Sequence, residues 1–357
     1  MMMRNRQSNG ELLRLICMLM IVMHHFIIFS MYPGTFELEV NEGAWDQKLV
    51  LAIHCFIYIG VNCFVLLSGW YSIRLKPKSV INLWSICFFY AVIRFFGNLV
   101  DSNMFEKGYD ILSWKYLSPV LLPFSHTGHW FITCYVALML LSPILNKAID
   151  SFNRPQLRMA VVLTSIMCLW FGFLWGIEQV NDNGYNTMQF IWLYLIGGYL
   201  RRCCDAGWLR MHRRRCLWVY VGCSLLWGLI IMLKEYGIRV PFWRPFTYCN
   251  PLVMGASIGF FLFVMSFEFK NRTINWLASS VLAVYLVQDG VFQYNWLANV
   301  SGQWTPLVKL LMLPLLSVCF MLAVLMFDKI RVLMMKPFWA FYDRRIEPWL
   351  KAKFLTR

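Results

Sequence analysis

Two residues on one apolar run carry the strongest chemical signal in the chain. Arg14 and His25 stand eleven residues apart within RLICMLMIVMHH. At about 100° per residue that spacing covers about 1100°, roughly 20° past three turns, so both side chains project from nearly one face of a helix. At about 1.5 Å per residue they lie about 16 Å apart along its axis. A guanidinium is always charged and grips phosphates or carboxylates, whereas an imidazole changes charge near neutral pH and can accept the proton of a hydroxyl. One stripe would thus hold an anion at the inner face of a membrane and place a general base beyond its midplane. A snorkelling interfacial cation and a histidine bonded to a neighbouring helix would share the same spacing.

The other ionisable groups inside apolar stretches are few, and each is expensive in lipid. His24 points about 100° away from His25 and suits packing better. Asp289, in YLVQDG, must be neutral or paired, and Arg94 is the obvious cationic partner. A structural salt bridge between them is the plainer reading, and an active-site role the bolder one. His24, His25, His54, His126 and His129 all fall towards the outer side of the span pattern set out below, where proton transfer is a better use for them than zinc. No two stand at i, i+4 with a companion carboxylate, and Cys203 and Cys204 have no second pair at ligand spacing, so no metal is expected. Ser68 lacks the surround of a nucleophile elbow, and there is no phosphate loop or dinucleotide fingerprint.

These residues need helices to position them, and the composition says where those helices lie. Of 357 residues, 59% are hydrophobic and only 14% charged, against about 25% charged in soluble domains. That excludes a soluble, disordered or disulfide-stapled chain and leaves an integral membrane protein. The net charge of +15 follows from cytoplasmic loops collecting Lys and Arg, so nucleic acid is not expected as a partner. Windows of about 20 apolar residues predict an all-α membrane protein of about ten spans, near 11-31, 48-72, 79-100, 129-148, 158-178, 187-202, 215-234, 250-269, 275-296 and 305-328. The stretch 187-202, ending in Gly197 and Gly198, is the shortest of them. With the N-terminal arm inside, Arg74, Lys76, Lys78, Lys147, Arg154, Arg158, Lys270, Arg272 and the basic tail all fall inside, which sets both termini in the cytoplasm. The basic segment from Arg201 to Arg215 falls on the same side, facing anionic lipid. The first apolar run is longer than a signal-peptide core and has no small-residue cleavage site after it, so the chain reads as one polytopic domain, 1-357.

Three stretches resemble the acyltransferase 3 family of membrane enzymes that O-acylate bacterial surface glycans. They are the basic-x10-His pattern from Arg14 to His25, GVNCFVLLSGWYSIR with Ser68 and Gly69 in place, and GHWFITCYVALMLLSPIL with His129 and Trp130 near its start. A departure lies in ASSVLAVYLVQDGVF, where Gln288 occupies the position at which the family commonly has His. The resemblance implies a transferase of the bacterial inner membrane, with acyl-CoA, most commonly acetyl-CoA, as donor on the cytoplasmic side. A polysaccharide or lipid-linked sugar hydroxyl would be the acceptor. Arg14, Arg74, Lys76 and Lys78 would then hold the donor, and His25 would act as base, directly or through an acyl relay. Ser68, His129, Trp130, Arg94 and Asp289 are candidates for the substrate path. Two rival readings use the same residues. In one, a transporter or flippase-like protein runs a proton or substrate path along Arg94, Asp289 and the histidines. In the other, the chain is a non-catalytic membrane subunit.

Overall fold

The computed structural model describes residues 7–35, 44–100, 113–124, 129–235, 244, 246–288 and 291–350. These are helices joined by short connections, with no strand among the described residues. Seven helices are long and apolar enough to cross a membrane: Asn9–Met31, Trp45–Tyr71, Pro77–Gly97, Trp130–Ser151, Arg154–Leu174, Ala206–Lys234 and Pro306–Met334. They coincide with seven of the expected spans to within a few residues, except that the Ala206 and Pro306 helices extend further at one end.

The three other expected spans are helical but fall short of the length of those seven. Residues 187-202 form Thr187–Cys203, and 250-269 shrink to Pro251–Met265. The latter starts sharply because Pro251 follows Asn250, whose side chain accepts from the Leu252 N–H. Asn153, Asn186 and Asn271 cap three more helices in the same way, so asparagine punctuates the chain where apolar runs begin. The described residues of the run 275-296 belong to Arg272–Ala278, Val281–Gln288 and Val291–Ser301. The run is broken at Ser279 and Ser280, where Lys329 Nζ donates to the Trp276 carbonyl at 2.6 Å and approaches both serine hydroxyls, at 3.0 and 2.8 Å. Groups that a continuous helix would satisfy internally are met here by a cation from another helix.

Glycine sets the closest approach in the bundle. A Cβ on Gly69 would lie 2.2 Å from the Tyr194 carbonyl oxygen, and one on Gly197 would lie 2.3 Å from that of Leu66. The Trp45–Tyr71 span consists of Trp45–Ile57 and Gly60–Tyr71, and the second of these meets Thr187–Cys203 backbone to backbone, the small-residue contact that lets apolar helices associate where water supplies no drive. The first helix is fixed at its start. Ser8 N–H donates to the Phe269 carbonyl, its hydroxyl donates to the Asn271 carbonyl, and the Asn271 N–H donates back to Ser8 Oγ at 2.8 Å.

A buried ion pair closes the far end of the Pro306–Met334 helix. Arg331 Nε donates to Asp328 Oδ1 at 2.6 Å, a second guanidinium nitrogen reaches Oδ2 at 3.0 Å, and the Tyr90 hydroxyl donates to the same carboxylate at 2.9 Å. Both charges are nearly sealed from solvent and bidentate, the arrangement a buried pair requires.

Candidate active site

A cavity of about 610 Å³ opens between the first helix, the Gly60–Tyr71 helix, the start of the Pro77 helix, the Trp130 helix and the pair Arg272–Ala278 and Val281–Gln288. Its size is ordinary for a small-molecule site. The walls sort by height. Arg14, Ser72, Arg74, Lys76, Ser79 and Asn82 form a polar, cationic mouth, while Met18, Ile21, Phe64, Phe131, Ile132 and Tyr285 form an apolar shaft.

The mouth is held by a closed set of hydrogen bonds. The Ile73 N–H donates to the Tyr194 hydroxyl at 2.8 Å, that hydroxyl donates to Asn146 Oδ1 at 2.6 Å, and Asn146 Nδ2 donates to the Ile73 carbonyl at 2.7 Å. Both polar groups of one backbone unit are thus pinned by two other helices, immediately before Arg74. Ser72, with φ of 56°, makes the sharp exit from its helix that turns the chain into this strip. Arg14 is steadied by Glu11 at 3.0 Å, yet remains partly open to the cavity.

The shaft follows a helical stripe upward. On the first helix the lining residues are Arg14, Met18 and Ile21, at spacings of four and three, and the next position on that face is His25. His25 is half-buried, and its ring lies 5.5 Å from that of Phe29 and 5.2 Å from that of His24. On the facing helix Tyr285 lines the shaft, with the ring of buried His129 5.6 Å away.

The remaining sequence candidates separate. Ser68 lines the cavity, but its hydroxyl donates to the Phe64 carbonyl four residues back, at 3.0 Å. Lys78 is drawn away from the mouth to Asp343 at 2.5 Å and lies over the rings of Trp339 and Tyr342. Trp130 turns into an aromatic group with Tyr185 and Tyr248 rather than into the cavity wall. Arg94 is exposed on the Pro77 helix, and Asp289 lies outside the described residues.

Sequence reasoning did not bring His24 and His54 together. The structure sets His24 Nδ1 2.5 Å from His54 Nε2, both rings buried, with His54 stacked on Phe246. One of the pair donates and the other accepts, which fixes complementary tautomers. The one available sign was that both lie in the same half of their spans. No group of three or more His, Cys, Asp or Glu is arranged to hold a metal among the described residues. Outside the spans, burial and the neighbouring Cys203 push the Cys204 thiol up to about 11, which keeps it protonated and unreactive.

The arrangement can bind an anion at one end and receive an apolar arm along the helix face on which His25, itself not in the cavity wall, stands one turn beyond Ile21. A family model described as an acyltransferase domain matches residues 10–327. No curated protein and no solved structure matches the chain. The family match spans every helix that builds the cavity, and with the membrane-length helices it makes this chain a member of the acyltransferase 3 family, a multi-pass membrane acyltransferase.

Proposed function

We propose that the chain is an O-acyltransferase that moves an acyl group, acetyl in the leading case, from cytoplasmic acyl-CoA to a hydroxyl of a cell-envelope polysaccharide or its lipid-linked precursor. It would act in the bacterial inner membrane, as ten crossings with both termini in the cytoplasm. What supports the reading is the convergence of Arg14, Arg74 and Lys76 on the mouth of a cavity whose apolar shaft rises along the face that ends in His25. Phosphates of the donor bind at the three cations through charge-assisted hydrogen bonds. The thioester arm follows the shaft, which is apolar enough to receive it and to exclude water.

His25 takes the proton of the acceptor hydroxyl as its oxygen attacks the thioester carbon. The C–O bond forms, the C–S bond breaks, and the departing thiolate recovers the proton from His25. Lys78 and Trp130 are left out of this scheme, since each is engaged elsewhere.

The test is the acyl content of envelope glycan, measured by mass spectrometry, from cells with the intact gene, with a deletion, and with His25→Ala. Loss of the same acyl groups in the deletion and in the variant, with normal membrane insertion of the variant, is expected. Unchanged glycan in all three strains would sink the transferase reading.

A further inference from the structure

Gln288 is the most conspicuous unexplained polar group in the described part of the bundle. Its side chain is fully buried, and neither amide atom has a hydrogen-bond partner. Because both atoms are bare, a flipped amide would leave the same deficit. An orphaned buried amide costs folding free energy and persists where something else repays it.

Its position says what that is. Ser8 and Asn271 are mutually hydrogen-bonded, which sets the starts of two adjacent helical runs side by side. Both runs leave this clasp in the same direction: the first helix, and Arg272–Ala278 followed by Val281–Gln288, which packs against it. His25 comes seventeen residues after Ser8, and Gln288 seventeen residues after Asn271. Counted from the clasp, the imidazole and the amide therefore stand the same number of residues along their runs, the second with one turn at Ser279 and Ser280. The cavity wall on the second run consists of Ala278, Ser279, Val281, Leu282 and Tyr285. Gln288 follows Tyr285 by three residues, about 60° short of a full turn, and so continues that stripe as His25 continues Arg14, Met18 and Ile21.

Resting on the transferase reading, we propose that Gln288 donates from its side-chain amide to the carbonyl oxygen of the transferred acyl group, across the shaft from His25. As the acceptor oxygen adds to the thioester carbon, negative charge gathers on that carbonyl oxygen. A neutral, water-excluded N–H at this height stabilises the charge before the C–S bond breaks. The proton moves from acceptor to His25 to thiolate as before, and Gln288 is neither protonated nor consumed. A neutral amide suits this layer, because it supplies a donor at every pH without adding a titrating group to the His24 imidazole already beside the base.

The experiment uses the full chain in detergent, with acetyl-CoA as donor and, as acceptor, envelope glycan from cells lacking the gene. Gln288→Met keeps the volume and removes the donor. Turnover should fall about 100-fold, the usual effect of losing one such donor, with acetyl-CoA affinity unchanged. The melting temperature should be unchanged or higher, since an unbonded amide has been removed. Gln288→His, which retains an N–H, should stay within about 10-fold of the original turnover. Full turnover in Gln288→Met overturns the proposal, as does a melting temperature that falls in step with activity, which marks a structural role. A Gln288→His variant as slow as Gln288→Met also overturns it. Transfer by the original chain that is abolished in His25→Ala but intact in Gln288→Met removes this proposal alone. No transfer by the original chain removes the transferase reading and this proposal with it.

Discussion

Tyr194→Phe tests whether the mouth of the cavity is positioned from a distance. The substitution deletes one hydroxyl that accepts from the Ile73 N–H and donates to Asn146 Oδ1. Two hydrogen bonds at about 0.5–1.5 kcal/mol each are lost, and the two abandoned partners add part of a desolvation cost of about 1–3 kcal/mol. Locally the strip before Arg74 is loosened by about 2–4 kcal/mol. That loss reaches the donor only through Arg74, whose charge-assisted bond to a phosphate is worth about 1.5–3 kcal/mol at most. Arg74 is exposed, so solvent screening puts the expectation at the low end, about a 10-fold loss of acetyl-CoA affinity. Titration calorimetry on the solubilised protein measures it, with Arg74→Ala as the ceiling. Turnover at saturating donor should change little, because the proposed scheme puts the chemistry at the other end of the shaft. Undiminished affinity in Tyr194→Phe, beside a clear loss in Arg74→Ala, would refute the idea that the clasp positions the cation.

Two further expectations concern the bundle. Gly197→Ala places a methyl group 2.3 Å from the Leu66 carbonyl oxygen and 2.9 Å from the Trp70 nitrogen, both backbone atoms that cannot rotate aside. It should destabilise the protein by about 1–3 kcal/mol, seen as a lower melting temperature in detergent. Gly222→Ala, which meets nothing within 4 Å, should instead be neutral or stabilising by up to about 1 kcal/mol; equal effects of the two would contradict the close-packing account. Asp328→Ala strands the buried Arg331 guanidinium and should cost about 3–5 kcal/mol. The double variant Asp328→Leu with Arg331→Met should recover most of that. A single variant no less stable than the double one would show that the pair is not sealed as described.

The helices were legible because lipid imposes one simple requirement, a long apolar run, and residues such as 11-31 and 129-148 satisfy it outright. The run 275-296 satisfies it equally well and is nevertheless broken. Hydropathy cannot register a lysine fifty residues downstream that meets the Trp276 carbonyl and the hydroxyls of Ser279 and Ser280. Lys78 illustrates the same gap. Beside Arg74 and Lys76 it reads as one more cation of a cluster, and only the arrival of Asp343, from 265 residues away, takes it elsewhere.

The site divides along the same line. Arg14 and His25 could be related from sequence because one rigid helix carries both, and its geometry is known in advance. The opposite wall could not be related to them, because its height depends on where a second run begins. That is fixed by the exchange of hydrogen bonds between Ser8 and Asn271, one at the start of each run. Read as a string, Gln288 is an absent histidine; counted from the clasp, it is a buried, unbonded amide as many residues along its run as His25 is along the first helix. A reaction that needs a proton acceptor on one side of a carbonyl and a hydrogen-bond donor on the other requires both walls at one height. The clasp seventeen residues below is what gives two separately encoded helices a common origin, so under the proposed scheme its integrity bears on the chemistry although it touches neither His25 nor Gln288.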